Sequence, residues 1–561
     1  MKIRLNIFCI ALASVLLSSC NAWLKEEPKS QFTFDNYFVD YTTLDAGVVG
    51  IYQTVSNLFY VDTNTPMFMT LLGTDECMSK GYQNNLRAYL DRYTYSVTEG
   101  SIAEYWNRHY KIIKNANIVI DAAHKIASLT TQQRNTCEGE ARFLRAFAYF
   151  RLVQAFGAIP IITEPIVSDF DYSLPRSGVK DVYNLIIDDL NFASADSVLT
   201  KAKTGNGRAN HWAAKALLGK VLLTLASTKE TGKVSGYEEV VKTPVQLYSD
   251  AYDVLSDVVK NSGADLLPVY GDVFKIANKN INKESMWEIQ YSSVIPYGSQ
   301  WSKEFGMIAS APAASNPSGF VPWQVNAMVG SAFLVYFPGF RKYYQTVTDK
   351  TGAVRQDLRR SWNLADSIVN FVNAAPKSTT VIFGTVNTPD SYNSTTLGRC
   401  GVTKYRWGNS YKENITFSYS NCPTNVIVMR YADVLLMLAE ADYKKNGGNI
   451  SAAGLEALNR VRRRAFGYDS NTASSADRTA ADITIDEILK ERARELCFEF
   501  QRWFDLARTG KFEAFLSERN TKTVDLGKTY FSSDRHYLFP IPQSQIDLST
   551  NKQGFYQNPN Y

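Results

Sequence analysis

Cys20 is the residue whose surroundings say most about its chemistry. It follows Leu17-Ser18-Ser19, which closes an apolar run from Ile7 to Leu17 broken only by Ser14, with Lys2 and Arg4 in front. That run is too short for a bilayer core, which needs about 20 residues. It has the length and flanks of a secretory signal. A Leu, two small residues and a Cys at its end form a lipobox. The expected chemistry is diacylglycerol transfer to the Cys20 thiol, cleavage of the signal peptide 1–19, and fatty acylation (palmitate-type chains) of the new N-terminus. More than one chain is needed for stable attachment. No later stretch is apolar enough to span a membrane. Residues 20–40 begin with the mostly polar Asn21 to Pro28 and read as a tether.

Asp75 and Glu76, in Gly73-Thr74-Asp75-Glu76, are the carboxylate pair that invites a catalytic reading. Glycoside hydrolysis needs two carboxylates roughly 5–10 Å apart across a sugar. Neighbours on a strand point to opposite faces, which is poor geometry for that task. There is no G-x-S-x-G elbow or Walker loop, and an enzyme is not expected. His109, His124, His211 and His536 are scattered, so no metal site is expected. Asp253, Asp257 and the run Asp357-Leu358-Arg359-Arg360 read as helix charges and surface pairs. Beyond Cys9 and Cys20 there are five cysteines, Cys77, Cys137, Cys400, Cys422 and Cys497. None forms a C-x-x-C pair, and a Cys400–Cys422 bridge stays open, because spacing alone does not fix connectivity.

Cleavage after residue 19 removes Lys2 and Arg4 from 60 basic residues and nothing from 55 acidic ones, leaving a net charge of +3. That balance gives no footprint for nucleic acid. Tyrosine is abundant (33 residues, against 30 Phe and 9 Trp). An aromatic ring with a polar tip suits sugars, which also carry an apolar face and polar edges.

These residues have to be positioned by a mainly helical scaffold. Residues 101–128 place apolar side chains at helical steps, and Thr130 to Gln133 reads as a polar break. In 136–156, Ala141, Leu144, Ala148, Leu152 and Ala155 form one stripe and Phe143, Phe147 and Phe150 another, so this helix packs on two sides. Gly157 and Pro160 stop it. Residues 178–199 and 208–228 form another helical pair around Gly205-Asn206-Gly207, giving a stack of hairpins without a clean 34-residue consensus. From 262 to 425 helical periodicity fades and Gly, Pro, Ser, Asn and aromatics rise, as in functional loops. Residues 284–291 suit a short strand or a helix end. Helices return over 428–446, 452–466 and 484–509.

Four segments then carry a resemblance. Glu140-Ala141-Arg142-Phe143-Leu144-Arg145 runs to Phe156-Gly157-Ala158-Ile159-Pro160. Gly207-Arg208-Ala209 leads to Ala213-Ala214-Lys215-Ala216-Leu217-Leu218. Arg430-Tyr431-Ala432-Asp433 precedes Asn459-Arg460-Val461-Arg462. Glu491-Arg492-Ala493-Arg494-Glu495-Leu496 runs to Arg502-Trp503-Phe504-Asp505-Leu506-Ala507-Arg508. With Phe539-Pro540-Ile541-Pro542 and Gln557-Asn558-Pro559, in this order behind a lipobox, the chain resembles the SusD/RagB family over nearly its whole length.

The resemblance implies a mainly α fold: a TPR-like helical superhelix with a loop-rich, aromatic ligand face and little β structure. It divides the chain into a SusD-like N-terminal region (41–261) and a RagB/SusD C-terminal region (262–561) with binding loops over 262–425 and closing helices over 426–515. It implies an outer-membrane lipoprotein facing the cell exterior, non-catalytic, delivering oligosaccharide, or peptide in a RagB-like alternative, to a SusC/RagA-like TonB-dependent barrel. Some relatives hold calcium, but no loop here has the ligand spacing of a calcium site. By region, the resemblance points to Asp75, Tyr82, Asn84, Asn85 and Arg87, with Trp301, Trp323 and Tyr336 in the irregular middle. Core or barrel-facing positions are the alternative for these side chains, whereas Trp106 belongs to a helix's apolar stripe. In the family such motifs are mainly structural, and in 491–508 Arg494, Glu495, Arg502 and Asp505 are expected to pair along one helix.

Overall fold

The structure is a computed structural model that describes residues 37–79, 86–165, 172–294, 297–305, 307–308, 329–330, 333–364, 367–372, 375–382, 401–405, 421–522 and 528–561. Helix accounts for 54% and strand for 7% of it. The principal helices are α1 (Tyr41–Ser56), α2 (Gly100–Lys125), α3 (Thr131–Phe156), α4 (Val179–Ala193), α5 (His211–Thr231), α6 (Pro244–Asn261), α7 (Tyr431–Lys445), α8 (Ala452–Ala465), α9 (Ile485–Leu496) and α10 (Arg502–Arg508). None of the described helices is long and apolar enough to cross a membrane.

Local chemistry sets where the helices begin. Asp40 caps α1 and exchanges hydrogen bonds with Thr43. Thr130 does the same with Gln133 at the start of α3, and Thr243 with Gln246 at α6, where Pro244 takes the first turn. Such caps satisfy otherwise orphaned amides and are worth about 1 kcal/mol each. The polar run at Thr130 is therefore the opening of α3 and only in that sense a break. At the other end Gly157 adopts φ +72°, a conformation open to glycine, and the chain leaves the helix there.

Consecutive helices pack on one another, α2 on α3, α3 on α4 and α5 on α6, and α6 also packs on α7 from the late part of the chain. Both stripes of α3 are buried, with Ala141, Leu144, Ala148, Leu152 and Ala155 fully so. Among the described residues the strands form five two-stranded ladders. Ser285–Ile289 pairs antiparallel with Val426–Arg430, and Cys77–Ser79 with Leu334–Tyr336, so the irregular middle is stitched to segments before and after it.

The 484–509 segment departs from expectation. It is two helices, α9 and α10, separated at Cys497 to Gln501, where Phe498 and Phe500 both sit at φ +60°. Both rings are buried, Phe500 against Phe59 and Trp301, and Phe498 against Phe305 and Phe340. Tertiary packing has overridden a continuous helical pattern. Arg494, Glu495, Arg502 and Asp505 consequently take other partners than one another. Arg494 meets Glu491 and Glu487, whereas Arg502 reaches Asp75.

Candidate functional site

The arginines and glutamates of the motif segments form a buried lattice. Arg430 contacts Glu495 at 2.6 Å, Glu284 at 2.8 Å and Glu499 at 2.8 Å. Arg464 shares Glu284 and Glu495, and Arg359 holds Asp357, Glu491 and Glu495. Burial alone would push the Glu495 carboxyl up, but Arg464, Arg430 and Arg359 outweigh it and bring it down to about 2. The run at 357–360 is thus no surface pair: Asp357 and Arg359 are buried, because they answer charges on α9. Asp257 pairs with Lys215 at the surface, as a helix charge does. Such a lattice aligns backbone segments, and its carboxylates are committed to arginines.

Several expected ligand residues belong to the interior. The Asp75 carboxylate is clamped by Arg502 at 2.6 and 2.7 Å and receives the Tyr343 hydroxyl at 2.6 Å. Glu76 is equally buried; desolvation lifts its carboxyl to about 8, against the pull of Arg502. Trp301 is fully buried, donates its indole N–H to the Phe59 carbonyl at 3.0 Å, and packs on Phe305 and Phe500. Tyr336 is buried opposite Cys77 in a ladder. Asp75, Trp301 and Tyr336 are corrected accordingly: a side chain packed on all sides presents no face to a sugar. Trp106 is buried as expected. Tyr82, Asn84, Asn85 and Trp323 lie outside the described residues, as does Cys400. Cys77, Cys137, Cys422 and Cys497 are buried free thiols.

Arg87, on the short helix Leu86–Arg92, does reach a surface. Its guanidinium lies 4.7 Å from the Phe68 ring and 4.6 Å from the Phe333 ring, and bonds Glu304 at 2.9 Å. Phe68 is buried and continues inward to Trp301, while Phe333 is 39% exposed. A guanidinium stacked on aromatic rings and tied to a carboxylate is held in one orientation. Tyr89, on the same helix, is also 39% exposed. Phe333, Tyr89 and Glu304 were not singled out from sequence. Phe333 abuts a buried strand whose alternation is too short to mark its facing, and Glu304 lies 217 positions from its partner.

Two other concavities are built from described residues. One is an apolar groove of about 370 Å³ between α2 and the C-terminal segment, with Trp106, Tyr110, Ile162, Leu174 and Phe555 in its lining. The other is a cleft of about 710 Å³ with mixed aromatic and charged lining, including Trp362 and Tyr468. Among the described residues no group of three His, Cys, Asp or Glu is placed to hold a metal ion.

Helical hairpins and a motif turned into a buried charge lattice define a class of helical scaffold. Comparison with known proteins identifies it. Residues 283–561 match the family model described as "SusD family", and residues 22–223 match one described as "Starch-binding associating with outer membrane". The chain belongs to the SusD/RagB family. It is 26% identical to a SusD-like protein of Bacteroides ovatus over 522 residues, covering 89% of this chain and 82% of the relative. A SusD homologue from Bacteroides thetaiotaomicron superposes with a TM-score of 0.73 at 23% identity, over 94% of this chain and 98% of the other. A laminarin-binding SusD-like protein superposes with a TM-score of 0.67 at 23% identity, over 93% and 100%.

Proposed function

We propose that this protein is a lipid-anchored surface receptor that captures oligosaccharide at the outer membrane and hands it to a TonB-dependent barrel. The observation that carries the reading is the Arg87 surface, where a fixed guanidinium and the exposed Phe333 ring stand together over an aromatic core. An apolar ring face beside hydrogen-bond donors matches the amphipathic faces of a pyranose. Membership of the family, with a matching model described as starch-binding and outer-membrane-associated and a laminarin-binding structural neighbour, supports the cargo class and the location. The lipobox at Cys20 supports the anchor, with no further cofactor. Arg87 and Phe333 are the proposed contacts, joined by Tyr82, Asn84, Asn85 and Trp323 by region. Asp75 and Glu76, buried and engaged with Arg502 and the Phe498 amide, favour binding over hydrolysis.

The test is binding of lipid-free residues 21–561 to panels of glycans and peptides, with products assayed in the same tubes. Binding to a glycan class without turnover, weakened by Phe333→Ala and Arg87→Ala, is the expected result. Product formation would overturn the non-catalytic reading, and binding of peptides alone would move the cargo to the RagB-like alternative.

A further inference from the structure

The larger cleft lies between the loop 265–275, the short helix Arg359–Asn363 and the turn 467–471 that follows α8. Its volume, about 710 Å³, falls in the range of small-ligand sites. Trp362 is half-buried, and its indole rests directly on Gly271: a Cβ placed there would lie 2.4 Å from a ring carbon. Only glycine allows the ring to lie so close to the backbone. Leu358, four positions before Trp362, and Val269 are 51% and 54% exposed at the same cleft.

The polar lining is balanced. Asp265, Asp272 and Asp469 face Lys275, Lys283 and Arg464, three carboxylates and three cations. Asp265 is held by Arg460 at 2.6 Å and Lys283 at 3.5 Å, and Asp272 by Lys275 at 2.5 Å. Arg464 is buried beneath, tied to Glu284 and Glu495. Its Nε–H makes no hydrogen bond among the described residues. Cancelling charges give no net field to draw in a polyanion or polycation. They do offer donors and acceptors at fixed positions beside an apolar ring, the combination that recognises an uncharged, hydroxyl-rich ligand with flat apolar faces.

We propose that this cleft is a carbohydrate-binding site separate from the Arg87–Phe333 surface, in which a neutral sugar ring packs on Trp362 and its hydroxyls meet Asp265, Asp469 and Asn471. The ligand class rests on the glycan-capture reading; the location does not. A receptor with two such sites holds a long glycan more tightly than either site alone, because the second contact is intramolecular.

Hydrogen–deuterium exchange of residues 21–561, titrated with laminari-, xylogluco- and malto-oligosaccharides, tests this. The expected result is saturable protection of 265–275, 358–362 and 467–471. Trp362→Ala should weaken it roughly tenfold, the scale of truncating an aromatic anchor. Phe333→Ala should leave it unchanged. Should Trp362→Ala fail to fold, Lys283→Ala with Asn471→Ala, both at exposed positions, replaces it and should weaken protection several-fold. Protection confined to the Arg87–Phe333 surface would overturn the cleft alone. Cleft protection of unaltered affinity in the folded variants would also overturn it. Protection nowhere with any of the three sugars would overturn both this proposal and the glycan-capture reading.

Discussion

Arg502 on α10 grips both oxygens of Asp75, 427 positions earlier in the chain, through Nε and Nη2. Asp75 read as a ligand residue because it is an acid in a short polar run. The structure uses it as the anchor that ties the N-terminal loop to the most recognisable helix of the sequence. Both groups are almost fully buried, so the net energy of the pair matters less than the cost of stranding one member without the other.

Arg502→Ala leaves the Asp75 carboxylate buried with, among the described residues, the Tyr343 hydroxyl alone. The expected loss of stability is about 3–5 kcal/mol. Denaturant unfolding followed by circular dichroism measures it, and a change under about 1 kcal/mol would refute the anchoring role.

Glu76 gives stability an unusual pH dependence. Its carboxyl titrates near 8 in the folded chain against 4.5 as the ordinary value. A raised acid binds its proton more tightly when folded. Its contribution is therefore fully present below 4.5, declines as pH rises to 8, and is flat above. The span corresponds to roughly 5 kcal/mol at most. Glu76→Gln should remove this decline and be the more stable protein above the folded pKa, as melting temperatures at about pH 5 and about pH 8.5 would reveal.

His109 works in the opposite direction. Burial, with a smaller push from Arg151, lowers its imidazole to about 3, and its Nδ1–H bonds the Tyr105 carbonyl at 2.6 Å. Stability from the neutral ring is complete above 6.5 and is lost as pH falls toward 3. His536, lowered to about 4, adds to the same limb. His109→Gln should flatten the fall in melting temperature between about pH 6.5 and about pH 5, before most carboxylates titrate. An unchanged slope would mean that this histidine is not the source.

Much of the architecture was legible in the sequence because it is local. The stripes of α3, the stop at Gly157 and the helices α7 and α8 follow from periodicity and turn chemistry, and each lies within a few residues of its expected bounds, whereas the helix expected over 484–509 is broken at Cys497 to Gln501. The motif segments were legible as structural, though their partners were not. Arg359, expected at the surface, is fully buried because Glu491 and Glu495 await it 132 and 136 positions later. The candidate surface was the least readable. Arg87 emerged by region, but Trp301, which looked like a stacking platform, lies under Phe68, and the exposed ring is Phe333. Type and spacing do not reveal which of two aromatics in an irregular stretch faces solvent when both belong to one cluster. Trp362 left one faint trace, its four-residue spacing from Leu358.

The end of the chain closes its beginning. Phe539 donates its amide to Ala155 at the end of α3, Gln543 donates to Val97, and Tyr561 stacks on Tyr95. Asn558 and the Tyr556 carbonyl receive Arg176, and the Asn558 amide caps the Phe156 carbonyl. For a polypeptide that emerges N-terminus first, the first helical hairpins cannot complete this packing until residues 539–561 have been made. A chain that stops before residue 539 leaves the carbonyls of Ala155 and Phe156 and the Arg176 guanidinium without these contacts, and its early helices stay open along one edge.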